Sequence, residues 1–286
     1  MGVPDRHPRT TALNAPLRLD APAKLNLSLR VVGRRDDGFH LLESRMVLLE
    51  LADHLLLLPG SSGLRLDGDA SGLPPGEENL AWRGLLLGLG GPPDVACLAL
   101  EKRIPVRSGL GGGSSDAAAA WRLGRAWRGV SEDATVTELE GLSRIGADVP
   151  FFAARLAAGL VRGIGERIEP TAASESHVIL VHPGFGLSTA AVFAELTSDD
   201  WGRSENDLLA PALRLRPELD DILALVGRTG VTPRMTGSGP MIFALTDDPR
   251  LAASVVERLI GAGLHATITR TRTSATSIEA IEEEAE

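Results

Sequence analysis

Glycines cluster between Gly109 and Ser115, directly before an alanine-rich segment that runs to Trp127. Glycine tolerates left-handed backbone angles, so successive N–H groups in such a loop can turn toward one point. The N-terminus of the following helix adds about half a positive charge. A flexible hinge is the alternative, but the strand before the loop and the helix after it favour a phosphate cradle. The predicted cradle consists of Gly109, Leu110, Gly111, Gly112, Gly113, Ser114 and Ser115.

This loop differs from the two most common nucleotide-binding motifs. Serines rather than a lysine follow its last glycine, so it is not a P-loop. No acidic residue ends a strand about 20 residues further on, as a dinucleotide-binding fold requires. The sequence therefore predicts phosphate binding by a different kind of glycine loop.

Lysine is almost unused in this chain: among 29 basic residues only Lys24 and Lys102 are lysines. Arginine replaces lysine as a solvated cation, but not where a compact ammonium must contact one oxygen. Both lysines are therefore candidate site residues, with chance retention as the alternative. Lys24 alternates with Asn26 and Ser28 along a predicted strand, which predicts that all three lie over one site. A solvated strand face is the other interpretation.

Three further segments carry groups that could act on a ligand. Asp148 precedes Val149-Pro150, a pattern typical of a helix N-cap. A turn at 34–38 leads to Phe39 and His40, which are a core residue and an exposed hairpin residue in the simplest interpretation. Glycines at 236–240 predict a tight turn, although its amides could face an anion.

Composition excludes several classes of protein. The 286 residues are 43% hydrophobic and 23% charged, which suits one large domain or two small ones. A net charge of −9 argues against a nucleic-acid surface. The single cysteine allows no internal disulfide and predicts a reducing, cytoplasmic location, and the first 15 residues contain no secretion signal. Apolar runs are too short to span a bilayer, and no Cys/His spacing indicates a structural metal, so we expect any metal to arrive with a nucleotide.

The pattern along the chain predicts a mixed sheet in the first half and a smaller α+β domain from about residue 160. Predicted strands occupy 17–31, 39–49, 53–58, 63–66, 95–102, 178–181, 236–245 and 266–272. Predicted helices begin near 79, follow the glycine loop to 127, start at 148, and occupy 131–145, 189–196, 218–226 and 249–260. The acidic end, 282–286, is expected to be disordered.

Five motifs in this order and spacing resemble the galactokinase, homoserine kinase, mevalonate kinase and phosphomevalonate kinase (GHMP) superfamily. They are 22–27, 37–42, the glycine loop, 146–150 and 236–239. The first two motifs resemble the branch that acts on a cytidylyl-methylerythritol substrate. The resemblance implies an α+β fold of two domains, a ribosomal-protein-S5-like domain over 1–159 that binds ATP and a ferredoxin-like domain over 160–286. It places the active site between the two domains.

The resemblance also implies a role for individual residues. It makes Asp148 the catalytic base and Lys24 its partner beside the acceptor hydroxyl. It implies substrate contacts for Asn26, Phe39, His40 and Phe193, with the aromatic rings on the cytosine; Phe39 stands where the family usually has tyrosine. It assigns Asn79, Lys102 and the glycine loop to the nucleotide.

The activity implied by the resemblance is an ATP-dependent phosphorylation. With Mg²⁺, the γ-phosphoryl group would pass to the 2-hydroxyl of the cytidylyl-methylerythritol substrate, a step of the non-mevalonate pathway of isoprenoid precursor synthesis. Two alternatives are a mevalonate- or homoserine-type kinase of the same superfamily and an inactive nucleotide-binding regulator. The expected partners are ATP and this small molecule, with neither nucleic acid nor membrane.

Overall fold

The computed structural model describes residues 15–60, 62–92 and 96–281. The predicted disorder of the acidic end concerns 282–286 and lies outside these residues. Eleven strands and eight α-helices are described, with a short 3-10 turn at Ser198–Asp200. The strands are β1 Leu17–Arg34, β2 His40–Pro59, β3 Gly63–Gly68, β4 Ala96–Lys102, β5 Ala158–Gly163, β6 Arg167–Pro170, β7 His177–His182, β8 Arg234–Met235, β9 Ile242–Thr246, β10 His265–Arg270 and β11 Glu279–Ala280. The helices are α1 Leu80–Leu89, α2 Gly112–Trp127, α3 Val136–Leu142, α4 Val149–Ala153, α5 Thr189–Ala194, α6 Leu209–Leu215, α7 Glu218–Gly227 and α8 Pro249–Gly261.

The first sheet is built around the long hairpin of β1 and β2. Its strand order is β11-β1-β2-β4-β3, and β5 joins the first half of β2 while β6 extends from β5. Only β3 and β4 pair in parallel, so the sheet is mixed as the sequence predicted. β2 runs unbroken from 40 to 59, where two shorter strands were expected, because β5 and then β4 pair with its successive halves.

Helices α1 and α2 cover one face of this sheet and cross at close range. A Cβ on Gly84 would lie 2.0 Å from the carbonyl oxygen of Ala117, and one on Gly88 would lie 2.2 Å from that of Trp121. Only glycine permits backbones to approach so closely. The small residues of α2 therefore serve helix packing.

The second sheet is antiparallel, with strand order β10-β7-β9-β8. Its core includes Ile179, Ile242 and Leu259 and is covered by helices α5–α8. A separate apolar cluster joins the two sheets, since Leu25 and Val47 of the first pack with Leu180 and Phe243 of the second. The two halves therefore meet in a shared core beside the predicted site.

Several boundaries differ from those predicted. The helix expected over 131–145 is only α3, which begins after Thr135 because Thr135 and Glu138 form a capping box. Strands β5 and β6 and helix α6 were not predicted. The predicted domain boundary between 159 and 160 falls inside β5, a strand of the first sheet.

In the described part of the chain, no helix has both the length and the apolar character needed to cross a membrane.

Candidate active site

A cavity of about 850 Å³ opens between the two sheets. Residues from both halves of the chain form its wall, from Lys24 on β1 to Ser238 after β8. The predicted site residues that line it are Lys24, Asn26, Phe39, His40, Lys102, Gly109, Gly111, Gly112, Gly113, Ser114, Asp148 and Phe193. The structure thus brings together most of the residues that the sequence nominated.

Lys24 lies in the middle of β1 with its side chain 3% exposed. Its Nζ donates hydrogen bonds to Asn26 Oδ1 at 2.5 Å and to the carbonyl oxygen of Gly109 at 3.0 Å. Asp148 Oδ2 is 3.4 Å away and forms an ion pair with it. The ammonium is therefore held at one point of the cavity wall, which excludes the alternative of a solvated strand face.

Asp148 stands directly before α4 but does not cap it. Its backbone is helical, at φ −86° and ψ −13°, and no described helix N–H donates to its side chain. An N-cap residue normally has extended backbone angles that let its side chain turn back to the helix. The N-cap interpretation is therefore wrong, and the carboxylate, 29% exposed, faces the cavity beside Lys24.

Asn26 is buried, and hydrogen bonds hold both its side chain and its backbone. Its side-chain Nδ2 donates to Ser44 Oγ at 2.7 Å, and its backbone N–H donates to Thr236 Oγ1 at 2.9 Å. Ser28 was expected over the same site, but a β-bulge between Asn26 and Ser28 breaks the alternation of side chains. That expectation is wrong for Ser28, whose Oγ instead accepts from the backbone N–H of Arg45.

The glycine loop passes close to both lysines. Gly111 has φ +75°, and a Cβ there would lie 3.0 Å from Lys24 Cε. A Cβ on Gly112 would lie 3.2 Å from Lys102 Nζ and 3.1 Å from Ile104 Cγ2. The backbone angle of Gly111 therefore requires glycine, and a side chain at Gly112 would be tightly packed. Helix α2 begins here with its N-terminus at the cavity.

Three predicted nucleotide residues lie behind the cavity wall rather than on it. Leu110 is buried in the core between the sheets, and its carbonyl oxygen accepts from the N–H of Lys24 at 2.9 Å. Ser115 is buried, and its Oγ has no hydrogen-bond partner among the described residues. Asn79 caps α1, accepting from the N–H of Ala81 and donating to the carbonyl of Pro74, both at 2.9 Å.

Lys102 forms a buried ionic cluster beneath the loop. Its Nζ contacts Asp53, and it donates to Asp116 Oδ2 at 2.7 Å. Burial lowers the pKa of Lys102, but the two carboxylates outweigh it and the net pKa is raised. Burial, opposed by Lys102, raises the pKa of Asp116 well above its usual value. Lys102 therefore joins α2 to the sheet, whatever it contributes to a ligand.

His40 and Phe193 form an aromatic pair at the cavity. Their ring centroids are 5.4 Å apart and the planes differ by 24°, a stacked arrangement. Burial, with a smaller effect from Arg34, lowers the pKa of His40. Phe39 is 60% exposed, so it is not a core residue. These rings offer a flat apolar surface and a neutral imidazole at neutral pH.

Sequence reasoning missed four residues that support the site: Ser44, Asp53, Asp116 and Thr236. Asp116 directly follows the loop serines, and Thr236 opens the second glycine turn, so both had a signal in position. Ser44 and Asp53 had none, because strand pairing alone brings them to Asn26 and Lys102.

The described residues contain no group of three or more His, Cys, Asp or Glu side chains that could hold a metal ion by themselves. Mg²⁺ commonly binds one or two protein oxygens together with substrate phosphates. Ser114 lines the cavity in the first turn of α2, so its hydroxyl oxygen fits that mode of binding.

Two family models match this chain, each on one half of the fold. Residues 79–155 match the GHMP kinases N terminal domain, and residues 191–265 match the GHMP kinases C terminal model. Together with the cavity between the two sheets, these matches define a GHMP kinase, an ATP-dependent small-molecule phosphotransferase. The predicted α+β fold of two domains is confirmed.

Similar proteins narrow the class. The 4-diphosphocytidyl-2-C-methyl-D-erythritol kinase of Paracoccus denitrificans is 39% identical over 264 residues, covering 84% of this chain and 91% of the relative. That of Granulibacter bethesdensis is 42% identical over 275 residues, covering 84% and 88%. This chain belongs to the family of 4-diphosphocytidyl-2-C-methyl-D-erythritol kinases.

Solved structures agree with this assignment. A crystal structure of 4-(cytidine 5'-diphospho)-2C-methyl-D-erythritol kinase has a TM-score of 0.74 and 35% identity, covering 89% of this chain and 98% of that one. The homoserine kinase of Cytophaga hutchinsonii has a TM-score of 0.66 at 17% identity, covering 97% and 100%. This second likeness shows the fold alone.

Proposed function

We propose that this chain transfers the γ-phosphoryl group of ATP to the 2-hydroxyl of 4-diphosphocytidyl-2-C-methyl-D-erythritol, in the non-mevalonate pathway. The observation that carries the proposal is the shared cavity. It is lined by a glycine loop for phosphates, by the Lys24–Asp148 pair and by the aromatic residues His40 and Phe193. A kinase for a nucleotide-linked alcohol needs all three features in one space.

The glycine loop is assigned to the nucleotide phosphates. Gly109, Gly111, Gly112, Gly113 and Ser114 line the cavity, and their backbone amides lie at the start of α2. The helix N-terminus favours negative charge. Asn79, Leu110 and Ser115 then shape the loop from behind, and Lys102 fixes α2 to the sheet while lining the cavity.

Asp148 is assigned as the base and Lys24 as its partner. When the P–O bond to the 2-hydroxyl oxygen forms and the bond to ADP breaks, the hydroxyl proton passes to Asp148 Oδ2. Lys24 Nζ, 3.4 Å from that oxygen, stabilises the developing negative charge. Asn26 holds the ammonium in place at 2.5 Å.

Mg²⁺ is proposed to arrive with ATP, and when bound it would neutralise charge on the phosphates. Ser114 would hold it, since its hydroxyl lies at the cavity. Asp148 does not bind the metal in this proposal, because it receives the hydroxyl proton.

The cytosine is assigned to Phe39, His40 and Phe193. His40 and Phe193 already stack on each other, so a base must either cover an exposed ring face or separate the two. Phe39 retains stacking where the family usually has tyrosine, without its hydroxyl. Hydrogen bonds from His40 then determine the selectivity for cytosine.

The domain boundary is proposed to lie in 171–176, between the last strand of the first sheet and β7. Sheet membership supports this position, because β5 and β6 extend the first sheet to Pro170. A cytoplasmic location stays a prediction from the sequence.

An ADP-release assay with three alcohols tests the proposed substrate. We expect turnover with 4-diphosphocytidyl-2-C-methyl-D-erythritol and none above background with mevalonate or homoserine, which offer nothing for the aromatic pair to bind. Preferred turnover of either small acid would overturn the proposal. ATP binding without transfer to any of the three would favour the inactive regulator instead.

A further inference from the structure

The outer edge of β1 pairs with β11 at Leu17 and Arg18, and beyond these residues it is covered by pieces from three other parts of the chain. There the outward N–H groups of Lys24 and Asn26 donate to Leu110 O and Thr236 Oγ1. After the bulge that follows Asn26, the outward positions become Leu29 and Val31. The strand that carries Lys24 is therefore positioned by what contacts this edge, as well as by β2.

Segment 205–207 binds this edge as a short parallel bridge. The N–H of Leu29 donates to Glu205 O at 2.8 Å, and the N–H of Asp207 donates to Leu29 O at 2.9 Å. The side chain of Asp207 is buried, and its Oδ2 accepts from the N–H of Val31 at 2.8 Å. Backbone and side chain together fix this segment to the strand.

Asn206 lies inside that segment, and its side chain points to the 235–237 turn. Its Nδ2 donates to Met235 O at 2.8 Å and to Gly237 O at 2.9 Å, and its Oδ1 accepts from the N–H of Leu208 at 3.0 Å. The residue is 6% exposed. Both N–H donors of the amide bond the turn around Thr236. No other side-chain type of this size offers two donors with an acceptor.

The 235–237 turn lies against Asn26 and Lys24. Thr236 Oγ1 accepts from the N–H of Asn26 at 2.9 Å, and a Cβ on Gly237 would lie 3.3 Å from Lys24 Nζ. The bonds form a closed ring: from β1 to Asn206, from Asn206 to the turn, and from the turn back to β1 two residues from Lys24. A closed ring fixes the distance between its members better than a chain with a free end.

We propose that Asn206 is a positioning residue for phosphoryl transfer, which holds the 235–237 turn so that Asn26 and Lys24 keep their geometry. The inference rests on the proposed role of Lys24. Asn206 touches neither the reacting atoms nor the lysine, and it acts through Thr236. A displacement of about 1 Å in a catalytic group costs up to roughly 10²-fold in rate.

Asn206→Asp tests this with almost no change in shape. The carboxylate has no N–H to donate and faces two carbonyl oxygens, so the turn loses both bonds. We expect kcat to fall by about 10- to 100-fold while the KM for ATP stays within about twofold. The matched control is Leu259→Ala in α8, a buried core residue of the same half that makes no hydrogen bond to the turn, and this change should lower the melting temperature. Its kcat should stay at the wild-type value.

A second pair of variants keeps the test decisive where Asn206→Asp fails to fold. Thr236→Val removes the hydroxyl that accepts from Asn26 and preserves the side-chain shape, whereas Thr236→Ser keeps the hydroxyl. We expect Thr236→Val to lower kcat and Thr236→Ser to restore most of it. Equal kcat values for the Thr236→Val and Thr236→Ser variants would overturn the inference, because the hydroxyl would then have no effect on phosphoryl transfer.

A double-mutant cycle with Lys24→Ala separates this inference from the proposed function. If Asn206 acts through Lys24, Asn206→Asp should cost less than about twofold in the Lys24→Ala background. A full independent loss in that background, or an equal loss in Leu259→Ala, would overturn the positioning role alone. Wild-type kcat in Lys24→Ala itself would overturn the proposed role of Lys24 and, with it, this inference.

Discussion

Lys24 is an ammonium buried in a largely apolar hairpin, a state that costs free energy unless hydrogen bonds and an opposite charge compensate it. Three oxygens do so, on Asn26, Gly109 and Asp148. Two of them are neutral, so only Asp148 supplies charge. This explains why the site needs a compact lysine in a chain that otherwise uses arginine, whose planar fork does not fit three converging oxygens.

At the aromatic pair, His40→Ala should weaken discrimination between cytidylyl and uridylyl forms of the substrate. Hydrogen bonds to a base edge carry such selectivity, whereas stacking on Phe193 tolerates either base. Competition between the two substrates measures the ratio of kcat/KM values, with ATP affinity as the control. A preference for cytidine as large as in the wild type would remove His40 from base recognition.

The ionic cluster of Asp53, Lys102 and Asp116 joins three elements: β2, β4 and α2. Lys102→Met leaves two buried carboxylates without their cation, so we expect a loss of about 3–5 kcal/mol in the free energy of unfolding. Adding Asp116→Asn should restore part of it, since one negative charge is removed. Urea denaturation of the three proteins provides the measurement, and an undiminished stability of Lys102→Met would mean that the cluster does not hold α2.

The glycine loop should affect the binding of ATP more than the binding of the cytidylyl substrate. Gly112→Val should weaken ATP binding far more than binding of the cytidylyl substrate, because its side chain would collide with Ile104 and Lys102 and enter the phosphate cradle. Gly141→Ala in α3, where a Cβ meets nothing within 4 Å, is the matched control and should bind both ligands normally. Calorimetric titrations decide it, and equal losses for the two ligands would indicate a structural loop.

The last turn of α6 is linked to the 3-10 turn at Ser198–Asp200 by the ion pair of Arg214 and Asp200, and this pair titrates. Hydrogen bonds from Arg214 lower the pKa of Asp200 to about 2, although burial opposes them. Because the folded pKa lies below the ordinary 3.8, this pair stabilises the fold above pH 3.8, and its contribution disappears as pH falls through 2. The free energy of unfolding of the wild type should exceed that of Asp200→Asn by up to about 1 kcal/mol at pH 6, because solvent screens the exposed Arg214, and the gap should close toward pH 2. A gap that does not change with pH would contradict this origin.

For the whole molecule, the order of elements was readable because local patterns decide it. Alternating apolar residues predicted β1, and the glycines followed by alanines predicted the start of α2. The continuity of β2 and the existence of β5 and β6 depend on pairing between distant segments, which leaves no local pattern.

The candidate site, like the fold, was predictable only where a local pattern or residue type identifies a residue. Residue type nominated Lys24 and the glycine loop, and the resemblance added Asp148 and Phe193. The bulge that removes Ser28 from the site has no local signature. The Asp148 carboxylate does not cap α4, and this depends on a backbone angle that the Asp-Val-Pro pattern does not specify. The bond to Ser44 arises when β1 pairs with β2, and the bond to Thr236 arises only when the two sheets meet.

The central claim for the whole molecule is that Asp148, at the junction of the two halves, takes the proton of the substrate hydroxyl. Asparagine keeps the shape and the hydrogen-bonding reach of Asp148 but accepts no proton. Since Asp148 does not cap α4, its replacement removes no helix cap, but it leaves the buried Lys24 without its opposite charge, so we expect a lower melting temperature with the fold retained.

Rapid-quench measurement of phosphoryl transfer from ATP to 4-diphosphocytidyl-2-C-methyl-D-erythritol, in wild type and Asp148→Asn, tests this claim most directly. We expect the rate of transfer to fall by about 10²–10⁴-fold with both ligands still bound at near-wild-type affinity. A transfer rate in Asp148→Asn close to that of the wild type would contradict the assignment and leave a mechanism without a protein base.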